Sequence, residues 1–156
     1  KKGLASPDVI MTASKTMATL NKEAAEVLTK LKVNAVTDVT GFGLIGHLNE
    51  MCENSGVSSE IYFSEIELLP GVKSLAESGI IPGGTKRNLD FLDGFTSFGS
   101  EIDKNQQYIL ADAQTSGGLL ISLPAKQAET FKDAMGDHVK IIGSMINARS
   151  TRIIVE

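Results

Sequence analysis

The sequence predicts an α+β domain in which helices cover a mixed β-sheet. About five short β-prone runs are interspersed with several helical patterns. The order is rich in helix at first and then mixed, and no internal repeat or low-complexity segment interrupts it. Over 156 residues, a hydrophobic content of 42% and a charged content of 22% are ordinary for one globular domain with a hydrophobic core.

Helices are predicted where apolar residues recur at helical spacing between capping residues. Ser6, Pro7 and Asp8 form a start signal, because Ser caps, Pro suits the first helical position and an acid favours the positive end of the dipole. Gly56 is expected to end the third helix in a left-handed conformation. The predicted helices are Pro7 to Thr19, Asn21 to Lys30 with Asn21 as the cap, Gly43 to Asn54, Val72 to Ser78, Lys104 to Ala111 and Pro124 to Met135.

Strands are predicted in short runs of β-branched and other apolar residues bounded by turn residues. They are Ala35 to Val39, Ser59 to Phe63, Leu119 to Leu123, Val139 to Ile146 and Thr151 to Val155. The run Leu89 to Phe98 is interpreted as a surface excursion around aromatic anchors. Met11, Met17 and Leu20 are expected in the core, since Met commonly fills core gaps.

Charge and cysteine content exclude several classes of function. A net charge of −4 argues against a nucleic-acid partner, although a bound cation can still mediate binding of an anionic substrate. No apolar run reaches the length of a membrane span and no signal peptide stands at the start. Cys52 is the single cysteine, so an internal disulfide is excluded; a reducing, cytoplasmic compartment is expected, with Cys52 as a buried small hydrophobe and not a nucleophile.

The first glycine segment, Asn34 to Met51, combines a short strand, a glycine turn and the start of a helix. Glycines let the backbone approach a ligand, and the first helical N–H groups are free to bind an anion. Asp38 stands where a carboxylate could hold a metal ion that bridges to phosphate. On pattern alone, an Asp before a glycine turn more often caps a helix or stabilises the turn.

The second glycine segment, Pro82 to Asn88, contains two adjacent glycines followed by a hydroxyl and two cations. That chemistry suits phosphate, but an ordinary turn with a solvated basic pair explains the same pattern. The third glycine segment, Asp112 to Leu120, is a polar loop that leads into an apolar strand. Its polar groups could satisfy one another, the Asp38 turn or a ligand. Together the three segments suggest one site built from three loops.

The histidines do not indicate a zinc site. His47 lies beside the apolar face of its helix, and His138 is interpreted as a solvated surface residue. No second His or Cys stands at ligand spacing from either of them.

These segments resemble the C-terminal domain of the bacterial selenophosphate synthetase (selenide, water dikinase) family. The run from Met17 to Ala25 also resembles that family's first helical region. Ala113 departs from the family, which usually has Pro there; this loosens a loop and removes no functional group. The matching runs are Thr37-Asp38-Val39-Thr40-Gly41-Phe42-Gly43-Leu44-Ile45-Gly46-His47, Pro82-Gly83-Gly84-Thr85-Lys86-Arg87-Asn88 and Asp112-Ala113-Gln114-Thr115-Ser116-Gly117-Gly118-Leu119-Leu120.

The resemblance implies that the chain, 1–156, is the C-terminal domain of a longer two-domain enzyme, partly ferredoxin-like in fold. That enzyme uses Mg²⁺ and makes selenophosphate, AMP and phosphate from ATP, selenide and water. Asp38 is the magnesium ligand carried over, and no catalytic residue is expected in this chain. The cleft-lining residues implied for ATP are Thr40, Gly41, Gly43, Gly83, Gly84, Thr85, Thr115, Ser116 and Gly117.

The same resemblance implies that an N-terminal domain supplies the reactive Cys or selenocysteine, a nearby Lys, most ATP and metal ligands, and a homodimer interface. This chain alone is therefore expected to be inactive and monomeric. The absence of an initiator Met before Lys1 fits a piece of a longer protein. Alternatives are another superfamily member, such as a thiamine-monophosphate kinase, a hydrogenase-maturation dehydratase or a purine-pathway cyclo-ligase, and a non-catalytic binding domain.

Overall fold

The computed structural model describes residues 3–156. Lys1 and Lys2, from which the expectation of a longer protein partly comes, lie outside the described residues. The helices are α1 (Pro7–Ala18), α2 (Lys22–Leu28), α3 (Gly43–Ser55), α4 (Val72–Glu77), α5 (Gly83–Phe91), α6 (Lys104–Leu110) and α7 (Ala125–Met135), with short 3-10 turns at Phe63–Glu65 and Gly136–His138. The strands are β1 (Ala35–Asp38), β2 (Val57–Ile61), β3 (Thr96–Phe98), β4 (Leu119–Ser122), β5 (Gly143–Asn147) and β6 (Ile153–Val155).

A mixed four-stranded sheet has the order β3-β6-β2-β5. Strand β6 pairs in parallel with both β2 and β3, whereas β5 pairs antiparallel with β2. A separate two-stranded antiparallel ribbon joins β1 to β4, with Asp38 opposite Leu119. The predicted α+β class with a mixed sheet is confirmed.

Helix α3 is the central helix and contacts strands of both sheets. Ile45 and Cys52 on this helix are completely buried, as the apolar spacing predicts. Gly56 ends the helix with φ 63°, which confirms the predicted left-handed cap and leads directly into β2. Arg152, just before β6, donates to Asn49 Oδ1 at 3.2 Å and to Glu53 Oε1 at 2.8 Å, and so ties α3 to the sheet.

The prediction that Cys52 is a buried small hydrophobe is also confirmed. Burial raises the pKa of the Cys52 thiol, against smaller opposing effects of the Ser59 hydroxyl and the Arg152 charge. A thiol with a raised pKa is a poor nucleophile at neutral pH, so Cys52 contributes packing.

Two predictions about the middle of the chain are wrong. Pro82 to Asn88 is not a loop, because α5 begins at Gly83. The buried residues Thr85 and Leu89 lie at helical spacing, and that buried face outweighs the flexibility of the two glycines. Leu89 to Phe98 is no surface excursion either: Leu92 is buried, and Thr96 to Phe98 form β3 against β6.

The predicted core position of Met11, Met17 and Leu20 is wrong for the described residues. Their exposed fractions are 66%, 42% and 77%, and α1 has no buried residue at all. Strand Val139 to Ile146 is also shorter than predicted. It begins at Gly143, because its partner β2 ends opposite, at Ile61, and leaves the earlier residues without a strand to pair with.

Within residues 3–156, no helix combines the length and the apolar character that crossing a bilayer requires.

Candidate functional site

Asp38 is the last residue of β1, at the point where the ribbon meets the first glycine turn. Its side chain is exposed. Among residues 3–156 its carboxylate has no ion-pair or hydrogen-bond partner, so it does not cap α3 or brace the turn. The carboxylate is therefore available to a ligand from solvent.

The first and third glycine segments are held together by backbone hydrogen bonds. Val39 N donates to Gly118 O at 2.9 Å and Gly117 N donates to Val39 O at 3.0 Å. Gln114 N donates to Thr40 O at 3.0 Å. Thr115 and Ser116 lie between the last two of these bonds, and they form the bend beside the Asp38 strand.

The second glycine segment joins this pair through the side chains of α5. Asn88 Nδ2 donates to Gly41 O at 2.9 Å and to Ala111 O at 3.1 Å. Thr85 is 1% exposed; its hydroxyl donates to Asp112 Oδ1 at 3.1 Å and accepts from Ala113 N at 3.2 Å. The three glycine segments therefore meet in one place, which we call the glycine junction: 38–43, 83–88 and 111–118.

Glycine is required where backbones cross in this junction. At Gly43 the φ angle is 73°, and an ideal Cβ would lie 2.6 Å from the carbonyl carbon of Ala111. At Gly117 an added Cβ would lie 2.5 Å from Val39 O. Both distances are below any normal contact. The glycines of the first and third segments are thus needed for the segments to pack against each other, whether or not a ligand is present.

Gly83 and Gly84 have different surroundings, although both belong to the first turn of α5. Gly83 is exposed, and Gly84 lies against the Ala113 side chain, 3.1 Å from an ideal Cβ. Gly41 is exposed, with open space where a Cβ would stand.

Asp112 is an acidic residue of the junction for which the sequence predicts no individual role. Burial raises the pKa of its carboxyl group, while the hydrogen bond from Thr85 acts in the opposite direction. Asp112 is thus a half-buried acid that accepts a hydrogen bond, unlike the exposed Asp38. Its position three residues before the Thr115–Gly117 turn is visible in the sequence, but its hydrogen bond with Thr85 is not.

Two asparagines are further contributors that sequence reasoning missed. Asn88 joins all three segments, and the signal for it is its helical spacing from the buried Thr85. Asn21 is predicted to cap α2, but its side chain makes no capping bond. It donates instead to Gly117 O at 3.1 Å and thereby attaches the start of α2 to the junction.

The donor set can hold only part of a metal site. Residues 3–156 contain no group of three or more His, Cys, Asp or Glu side chains placed to share a metal ion. Mg²⁺ is commonly bound through one or two protein carboxylates together with phosphate oxygens and water. Asp38 fits one such position, and the remaining ligands have to come from a nucleotide, from water or from residues outside this chain.

Fold and site together define an α+β domain whose glycine junction holds an exposed carboxylate at its edge. The chain belongs to the family of AIR synthase related proteins, as their C-terminal domain; the family model matches residues 4–156.

Curated relatives are similar over nearly the whole chain. Proteins named selenide, water dikinase match from Clostridium botulinum, with 41% identity over 90% of this chain, from Myxococcus xanthus, with 46% over 93%, and from Enterobacter sp., with 39% over 100%. The chain spans 41%, 43% and 45% of these relatives, less than half the length of each.

Proposed function

We propose that this chain is the C-terminal domain of a selenide, water dikinase, which forms selenophosphate, AMP and phosphate from ATP, selenide and water. The observation that carries the proposal is the glycine junction. Three segments far apart in sequence meet beside one exposed carboxylate, in a chain 39–46% identical to relatives with that name.

In this proposal Asp38 lends one carboxylate to Mg²⁺. A bound Mg²⁺ neutralises the negative charge of transferring phosphate groups, so it supplies electrostatic stabilisation and positioning. Asp38 suits this role because it is exposed and its carboxylate has no partner among residues 3–156. The fixed β1–β4 pairing holds its backbone in place before any ligand arrives.

The junction lines the ATP side of the same cleft in this proposal. Exposed or partly exposed positions can approach a polyphosphate with backbone N–H groups; they are Thr40, Gly41, Gly83, Gly84, Thr115 and Ser116. Gly117 is also partly exposed, but its N–H already donates to Val39 O, so it lines the cleft without offering a donor. Gly43 and Thr85 are buried, and the Thr85 hydroxyl is already occupied. We therefore assign these two to holding the junction together.

The partners of the full protein are part of the proposal. A preceding domain would supply the reactive Cys or selenocysteine, its Lys, the other metal and ATP ligands, and the surface of a homodimer. One carboxylate cannot hold a magnesium ion firmly, so the 156-residue chain alone is expected to be inactive. We place the enzyme in the cytoplasm.

The test is Asp38→Asn in the full-length enzyme. Loss of the charge should reduce selenophosphate formation on the order of 100-fold or more, because a metal ligand contributes at least as much as the groups that orient it. Circular dichroism and the urea midpoint should be unchanged, since the exposed Asp38 carboxylate makes no hydrogen bond or ion pair within residues 3–156.

The matched control is Asp137→Asn, which removes an exposed carboxylate outside the junction. It should keep full activity. If Asp38→Asn also retains activity, Asp38 is not a magnesium ligand and this assignment fails.

A further inference from the structure

A buried histidine lies directly behind the exposed edge of the glycine junction. His47, on the first turns of α3, is 7% exposed. Its Nε2 lies 3.2 Å from Thr40 Oγ1, and its Nδ1 lies 3.0 Å from Glu50 Oε2. A continuous hydrogen-bonded row therefore runs from the solvent-exposed Glu50 through His47 to Thr40.

The chemistry of the row determines the direction of each hydrogen bond. An ionised carboxylate can only accept, so Glu50 requires a hydrogen on Nδ1 of His47. A neutral imidazole carries one hydrogen, so its Nε2 is then an acceptor. With His47 neutral, the Thr40 hydroxyl donates its only hydrogen to Nε2.

The surroundings hold the row in one arrangement. The Phe42 ring lies against the imidazole, with the ring centroids 5.4 Å apart. The Thr40 carbonyl accepts from both Gly43 N and Gln114 N, each at 3.0 Å, so the backbone of Thr40 is anchored on two sides. Because its carbonyl is anchored on two sides and its hydroxyl is hydrogen-bonded to His47, the Thr40 side chain has little freedom to reorient.

We propose that Glu50 and His47 are positioning residues that make Thr40 an acceptor toward the cleft. Thr40 then presents only oxygen lone pairs, which suit a water molecule carried by a hydrated cation and do not suit a bare phosphate oxygen. Phosphate contacts at this edge come from backbone N–H groups. The identity of the cation rests on the proposed function, whereas the hydrogen-bonded row is present in the structure independently of it.

The first experiment measures the tautomer of His47 by long-range ¹H–¹⁵N NMR on this chain at neutral pH. The expected spectrum shows a protonated Nδ1 and an unprotonated Nε2, together with a slowly exchanging Thr40 hydroxyl hydrogen. A protonated Nε2 would overturn the inference, because Nε2 would then donate to Thr40 and free its hydrogen for a phosphate oxygen.

The second experiment compares His47→Gln with His47→Asn in the full-length enzyme. Gln reaches far enough to place an amide oxygen near the position of Nε2, whereas Asn reaches only the position of Nδ1. Expected selenophosphate formation is within about 3-fold of wild type for His47→Gln, and lower by about 10–100-fold for His47→Asn, the usual range for groups that orient a metal site. A merely structural histidine predicts equal losses of activity that follow the loss of stability.

Control substitutions at His138, which is exposed, should change neither readout. If the tautomer is as expected but the full-length protein forms no selenophosphate, the proposed function fails and the row stands. If the enzyme is active and His47→Asn equals His47→Gln, the positioning role is wrong and the proposed function stands.

Discussion

Gly43 controls the packing of the junction through its own backbone. It adopts a left-handed φ of 73°, and a Cβ added to it would lie 2.6 Å from the carbonyl carbon of Ala111. A side chain here meets two obstacles at once, an unfavourable backbone conformation and a backbone neighbour that cannot rotate away.

Gly43→Ala should therefore lower the free energy of unfolding by about 1–3 kcal/mol. Urea denaturation of the purified chain measures this change. Gly41→Ala is the matched control in the same turn, because no atom lies within 4 Å of its added Cβ and its φ is not positive. That variant should be neutral or slightly more stable. Equal destabilisation of both variants would show that the turn is sensitive to any side chain and not to the crossing at Ala111.

Single residues were predictable where local chemistry decides their role. The apolar spacing of α3 predicts the burial of Cys52, and a glycine after a helix predicts the left-handed Gly56. The predicted capping role of Asn21 is wrong because an Asn amide can bond equally well to the first N–H groups of a helix or to a distant carbonyl oxygen. Asp112 and Asn88 depend on neighbours that only the folded chain brings within reach.

At the scale of elements, α5 is attached to the junction through one buried hydroxyl. Thr85 both donates to Asp112 and accepts from the Ala113 N–H. Removal of the hydroxyl leaves that N–H without its partner in a half-buried place, and an unpaired buried donor is costly.

Thr85→Val, which keeps the shape of the side chain, should cost about 1–3 kcal/mol of unfolding free energy. Thermal or urea unfolding checks the value. Thr130→Val removes a comparable hydroxyl on α7, which is exposed and, among the described residues, bonded only to Lys126 O; it should change stability by less than about 0.5 kcal/mol. A Thr85→Val loss no larger than that of the control would mean that α5 is held by apolar packing alone.

Helices and strands were predictable from hydrophobic periodicity and from the residues that cap or end them. The wrong predictions of elements have a common cause. Two adjacent glycines favour a turn, yet α5 forms because Thr85, Leu89 and Leu92 bury one side of it. Strand β3 has only three residues, too short for a period-2 pattern to appear in sequence. In both cases tertiary packing outweighs local preference.

At the scale of the whole molecule, α1 and α3 differ most in burial. Helix α1 has no buried residue, whereas α3 has eight, including the fully buried Ile45 and Cys52. Local opening is easiest where few apolar contacts oppose it.

Hydrogen exchange should therefore show α1 amides exchanging at least about 100-fold faster than those in the middle of α3, a difference of about 2.7 kcal/mol in opening free energy. Mass spectrometry of peptic fragments resolves the two helices. Equal protection in this isolated chain would show that α1 is anchored by contacts its exposure does not reveal.

The class of the fold was predictable because strands and helices alternate in number and order. The pairing of the strands was not predictable from the sequence. Strand β6 lies between β2 and β3, and β1 leaves the main sheet to pair with β4. The convergence of the three glycine segments was suggested by their shared chemistry, but the bonds through Asn88 and Thr85 that produce it are long-range contacts that one sequence does not encode visibly.

The central position of β6 in the four-stranded sheet affects when the sheet can form during translation. Ile153 and Val155 are fully buried between neighbours that were synthesised far earlier. Until these residues have been translated, no strand joins β2 to β3, and the edges of both strands that pair with β6 stay unpaired in the nascent chain. A truncation just before Ile153 would accordingly remove the middle of the sheet and not its margin.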